Sequence, residues 1–93
     1  MVIRIDSHTL ERAAERGASS DEITEVINSG RPIPAKYGRL GKSKTYGFNQ
    51  TRLGRFYEQK KIQVFYAIDG DAIVTVTVYV FYGKWEIDDG DSV

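Results

Sequence analysis

No cysteine occurs in the sequence, which excludes both a disulfide framework and a thiolate metal site. Only one histidine is present, so zinc sites of the usual His/Cys kind are excluded too. Long hydrophobic runs are missing as well. The best candidate, Ala72 to Tyr82, is interrupted by Thr75 and Thr77 and is far shorter than the roughly 20 residues a membrane helix needs. The opening Met1-Val2-Ile3-Arg4-Ile5-Asp6 has none of the three regions of a signal peptide. Gly38, Gly41 and Lys42 do not have the spacing of a phosphate loop, and no Gly-x-Ser-x-Gly elbow occurs. These absences predict a cytoplasmic chain with no membrane segment, no cofactor and no metal.

An excess of charge of one sign is also lacking, because 13 basic residues balance 13 acidic ones. The balance hides a segregation. Between residues 31 and 61 lie Arg31, Lys36, Arg39, Lys42, Lys44, Arg52, Arg55, Lys60 and Lys61 against Glu58 alone, whereas both ends are net acidic. One concentrated basic segment creates a local field that a polyanion can feel. The competing reading is that the segment pairs with the acidic ends on folding.

Hydrophobic residues make up 41% of the 93 residues, enough for one packed domain. A helix is expected from Ser7, as N-cap, to Arg16, with Leu10, Ala13 and Ala14 on its apolar face and Gly17 as its stop. Ser19 and Glu22 then form a capping box ahead of Ile23, Val26 and Ile27, and Gly30 with Pro32 ends this second helix. Residues 31–60, rich in glycine and aromatics, predict short strands with mobile connections, Thr45–Phe48 and Arg55–Tyr57 foremost. Lys61 to Ile68 alternates, with Ile62, Val64, Tyr66 and Ile68 on one face, and Gly70 suits a hairpin turn. In Ala72 to Tyr82 the alternation predicts a valine face (Val74, Val76, Val78, Val80) towards the helices and an open face with Thr75, Thr77, Tyr79 and Phe81. Gly83 to Ile87 suggests a short edge strand. The expected fold is therefore α+β: two short N-terminal helices packed on a twisted antiparallel sheet of about three to five strands. It occupies residues 1–87 as a single domain, with 88–93 as an acidic tail.

Two constellations could carry chemistry. His8, Arg12 and Arg16 are spaced four apart, so they form one stripe of the first helix, placed by periodicity roughly opposite its apolar face. Metal-independent RNA cleavage needs proton transfer and cations around a pentavalent phosphate. Histidine titrates in the useful range and arginine offers a fork matched to phosphate. The plainer alternative is that His8 starts the helix while Arg12 and Arg16 pair with Glu11, Glu15 or the acidic tail. The second constellation alternates Arg39, Lys42, Lys44, Arg52 and Arg55 with Tyr37, Tyr46, Phe48, Phe56 and Tyr57, and Lys60 and Lys61 extend it. Cations beside rings suit the backbone and unstacked bases of single-stranded nucleic acid. Here the alternative is that the rings face inward and the charges solvate their edges.

His8-Thr9-Leu10-Glu11-Arg12, Glu15-Arg16-Gly17-Ala18-Ser19 and Val26-Ile27-Asn28-Ser29-Gly30 resemble the opening of the DUF4258 family. Ile73 to Tyr79 is similar to that family's closing hydrophobic-Thr-hydrophobic-Tyr strand. The family is grouped with RelE-like and barnase/colicin-type ribonuclease toxins. The resemblance implies an RNA-cleaving toxin without a metal, often neutralised by a cognate antitoxin. It carries over His8, Arg12 and Arg16 from the helix motif and Thr75 or Thr77 with Tyr79 from the strand motif. The neutral overall charge and the acidic extension after Tyr82 depart from the pattern. The functional expectation is an endoribonuclease with His8, Arg12, Arg16, Thr77 and Tyr79 at its site. The alternatives are a non-catalytic RNA- or ribosome-binding module, or a protein-interaction domain on a retired toxin fold.

Overall fold

A computed structural model describes residues 1–85. The elements run β1 (Val2–Arg4), α1 (Ser7–Arg16), α2 (Ser20–Ser29), β2 (Arg31–Ile33), β3 (Leu40–Arg52), β4 (Arg55–Asp69) and β5 (Ala72–Gly83). The cap of α1 is Asp6 rather than Ser7. Its carboxylate accepts from the Thr9 N–H at 2.8 Å and from the Thr9 hydroxyl at 3.1 Å, so Ser7 enters as the first helical residue. Gly17 ends α1 in the left-handed region at φ 97°, donating to the Ala13 and Ala14 carbonyls. The Ser19/Glu22 capping box forms as the sequence predicts. Gly30 closes α2 in an extended conformation, φ −74°, and the chain passes directly into β2.

The sheet has five strands in the order β1-β5-β4-β3-β2. It is mixed rather than antiparallel, because β1 pairs in parallel with β5 through Val2↔Ala72 to Arg4↔Val74. The long connection that a parallel pair requires runs here through both helices and through β2, β3 and β4. The glycine-rich middle is a long regular hairpin, not short pieces with mobile connections. Leu53 (φ 51°) and Gly54 (φ 82°) both take the left-handed conformation of a tight two-residue turn. One irregularity falls between Gly47 and Gln50, where Asn49 has φ 49°. Gly70 takes positive φ in the β4–β5 turn as expected. Gly83 is the last residue of β5, and Lys84 and Trp85 form no strand. Glu86, Ile87 and the acidic tail lie outside the described residues.

Both helices cover one face of the sheet. Ala13, Ala18, Ile23, Val26 and Ile27 meet Ile62, Val64, Tyr66 and Val78 in the core, while Ile68 and Leu10 are exposed. The valine stripe of β5 is broken. Phe65 pairs with Thr77 but Tyr66 pairs with Thr75, so Val76 is an extra residue and the faces exchange at that bulge. Thr75 consequently lies on the core side, 2% exposed, its hydroxyl donating to the Arg4 carbonyl at 3.4 Å. No helix among the described residues is long and apolar enough to cross a membrane.

Candidate functional site

Pairing with β1 stops at Val74, so β5 beyond that point has no strand on its outer side among the described residues. The α1 helix lies against this open edge. Within α1 the buried residues are Thr9 and Ala13. His8, Arg12 and Arg16 each lie next to or near that line, one residue or about 100° round the helix. The stripe therefore flanks the buried line instead of opposing it, and it faces β5.

Between the two elements runs a cleft of about 410 Å³. One wall is His8, Thr9, Arg12 and Arg16, and the other is Val76, Thr77, Val78 and Tyr79. Four consecutive strand residues can line one cleft only where the strand shows its edge, since alternate side chains leave by opposite faces. The site is thus an edge cleft that takes in Thr77 and Tyr79, which lie opposite Phe65 and Gln63 on the sheet face away from the core, as alternation predicts. Thr75 does not line it; Thr77 and Tyr79 do.

Arg16 is the fixed member. Its guanidinium donates to the Val78 carbonyl at 2.6 Å, satisfying an acceptor on the unpaired edge, and sits 5.8 Å from the centre of the Tyr79 ring. Its own carbonyl accepts from the Tyr82 hydroxyl at 2.7 Å. Arg12 makes no ion pair among the described residues despite Glu11 and Glu15 nearby in sequence. His8 and Arg12 are exposed and Arg16 is half-buried, so two cations and the chain's single imidazole share one accessible wall. Asp6 underlies it. The Thr9 N–H and the Thr9 hydroxyl hold the Asp6 carboxyl below its usual range against the opposing effect of burial, with lesser help from His8.

Sequence reasoning missed Asp6 and Tyr82 as positioning residues. Asp6 carried a signal, being a strong N-cap type directly ahead of the helix. Tyr82 carried none in one dimension. It packs with Phe48 and Tyr57 at 5.2 and 5.5 Å and lies under the Arg52 guanidinium at 4.8 Å; burial pushes its phenol above the ordinary value.

The seven basic residues expected on RNA divide between roles and faces. Lys60 is buried, donating to the Gly17 carbonyl at 2.9 Å and to Glu22 at 2.8 Å. Lys44 bonds Ser29 at 3.1 Å and faces Glu25 at 3.5 Å, and Arg52 donates to the Glu15 carbonyl at 2.9 Å. These three tie the helices to the sheet. Lys61, one residue on from Lys60, leaves by the opposite face and lies over Trp85 at 4.6 Å. Arg55 stacks near Tyr57 at 5.9 Å and Lys42 is half-buried. Arg39 lines a cavity next to the cleft. Of the rings, Tyr46 faces α2, donating to Glu25 at 2.6 Å.

Among the described residues no group of three or more His, Cys, Asp or Glu side chains is placed to hold a metal ion. A family model described as a domain of unknown function (DUF4258) matches residues 5–80. No curated protein and no solved structure matches the chain.

Proposed function

The chain belongs to the DUF4258 family, and from that footing we propose that it is a metal-independent endoribonuclease of the toxin type, acting on RNA. One observation carries the reading. His8, Arg12 and Arg16 share a cleft with Thr77 and Tyr79, residues more than sixty positions away that the packing of α1 on β5 brings to them. In this reading the fold is a relative of the RelE-like and barnase/colicin-type ribonuclease toxins, and a cognate antitoxin is its natural partner.

The chemistry follows from the groups available. Arg12 and Arg16 grip the scissile phosphate and offset the charge that builds on its oxygens. His8 serves as general acid or base: as base it takes the proton from the 2′-hydroxyl as the 2′-oxygen–phosphorus bond forms, and as acid it gives one to the departing 5′-oxygen as the phosphorus–5′-oxygen bond breaks, the Tyr79 hydroxyl across the cleft or water handling the other proton. The products are a 2′,3′-cyclic phosphate and a 5′-hydroxyl end. Thr77 and Tyr79 orient the ribose and phosphate against the strand edge. Arg16, already held by Val78 and Tyr82, needs little reorganisation to act.

Expression of the wild type and His8→Ala in a translating extract, with 5′-end mapping of the RNA, tests this. Mapped cuts that fall about 10²–10⁴-fold in His8→Ala are expected. A folded His8→Ala protein as active as wild type removes His8 from proton transfer. Salt-sensitive RNA binding with no fragments points to a binding module instead, and no engagement of RNA at physiological salt to a protein-interaction domain.

A further inference from the structure

A second cavity, of about 190 Å³, opens on the other side of the β5 edge and shares Val76, Thr77 and Tyr79 with the cleft. Its remaining lining comes from Phe65 and from the loop between β2 and β3, which contributes Lys36, Tyr37 and Arg39. Phe65 and Tyr79 meet edge to face, with ring centres 6.0 Å apart, and form an aromatic floor. Tyr37 is 86% exposed although it lines this cavity, and its backbone is held at φ 59°, where a bulky residue is uncommon. Among the described residues, neither core packing nor an internal hydrogen bond accounts for an aromatic residue in that strained place. Lys36 and Arg39 are exposed beside it, and neither makes an ion pair among the described residues.

We infer that this cavity is a base-binding subsite for one unpaired nucleotide flanking the phosphate held by Arg12 and Arg16. The inference rests on the ribonuclease reading of the adjoining cleft and adds to it that the substrate is single-stranded. A splayed base stacks on Tyr37 and covers the Phe65/Tyr79 floor, while Lys36 and Arg39 meet the next phosphate along the strand. Aromatic faces bind any base by stacking, and cations follow the backbone. A paired duplex keeps its bases stacked inside, out of reach of a narrow cavity. The shared Thr77 and Tyr79 make the two cavities one path around the strand edge, so a chain bound in one continues into the other.

The probe is a fluorescein-labelled 2′-O-methyl RNA hexamer, which cannot be cleaved through its 2′-oxygen, titrated by anisotropy against the full chain at low salt. Tyr37→Ala is expected to weaken binding about tenfold, while Tyr37→Phe, which keeps the ring, binds as wild type does. An abasic nucleotide at the recognised position should reproduce the loss and abolish any further effect of Tyr37→Ala. Equal affinity of wild type and Tyr37→Ala overturns the subsite and leaves His8-dependent cleavage standing. Sensitivity to Lys36→Ala and Arg39→Ala without sensitivity to base removal also overturns it. Tyr37-dependent, base-dependent binding in a protein that cuts no RNA removes the nuclease reading and keeps the subsite. Failure of the wild type to bind the hexamer overturns the subsite, and the mapped cuts decide the nuclease reading separately.

Discussion

Arg12 and Arg16 are the same residue type on one helical stripe, yet their surroundings give them different duties. Arg16 completes the edge of β5 through the Val78 carbonyl, and a charge-assisted hydrogen bond of this kind contributes about 1.5 kcal/mol. Arg12 holds nothing in the fold among the described residues. Arg12→Ala is therefore expected to leave the urea midpoint nearly unchanged, within about 0.5 kcal/mol, while lowering RNA cleavage at least tenfold. Arg16→Ala should lower both. Equal loss of stability in the two variants, read from denaturant curves, would contradict this division. Gly17 is a second single-residue constraint: its φ is 97° and a Cβ there would overlap the Tyr82 hydroxyl. Gly17→Ala should cost about 1–2 kcal/mol in backbone strain, and more if the Tyr82–Arg16 hydrogen bond is lost with it, measurable as a fall in Tm.

For the elements, the bulge at Val76 matters most. It turns Thr75 into the core and sends Thr77 to the cleft, although both belong to the same Thr-x-Thr-x-Tyr pattern. Thr75→Val replaces a buried hydroxyl whose bond to Arg4 is long, 3.4 Å, and should change stability by less than about 1 kcal/mol with cleavage unaltered. Thr77→Val should lower cleavage with stability unaltered. The reverse pattern in paired activity and unfolding measurements would mean that the alternation runs straight through Val76. The same bulge explains why periodicity failed here. A period of two identifies faces only while the register is unbroken, and nothing in Val74-Thr75-Val76-Thr77 signals the extra residue.

For the molecule as a whole, charge segregation serves cohesion, since Lys44, Arg52 and Lys60 of the basic segment tie the sheet to the helices. Burial, the largest single effect, raises Glu22, but the Lys60 hydrogen bond, the Ser19 N–H, the Lys60 charge and the Ser19 hydroxyl together hold it below its ordinary 4.5. A depressed carboxyl contributes stability that is complete above pH 4.5 and is lost as pH falls through its folded value. Acid unfolding below that point should thus be less steep in Glu22→Gln, seen by circular dichroism. Tyr46 has the opposite sign: burial, then the Glu25 carboxylate that accepts its hydrogen bond, raises its phenol above 10.0, and burial raises Tyr82 likewise. Their contribution is complete below pH 10 and is lost as pH rises beyond it. Tyr46→Phe should flatten the alkaline fall in stability; an unchanged alkaline limb would show that Tyr46 contributes nothing to it.

Local chemistry made much of this protein legible from sequence alone. The two helices, the Ser19/Glu22 box, the left-handed stop at Gly17 and the Gly70 turn depend on neighbours within a few residues, and the sequence carries that information directly. The His8/Arg12/Arg16 stripe was readable for the same reason, because helical spacing alone sets it. What faces that stripe was not. Bringing it to Thr77 and Tyr79 required β1 to pair in parallel with β5 and then stop, α1 to cover the strand edge left open, and Val76 to shift the register. Pairing register and edge exposure are decided by the packing energy of the whole sheet against the helices, which no short stretch of residues encodes. Only the tertiary structure therefore determined that this chain's single histidine shares a cleft with a strand edge that no other strand pairs among the described residues.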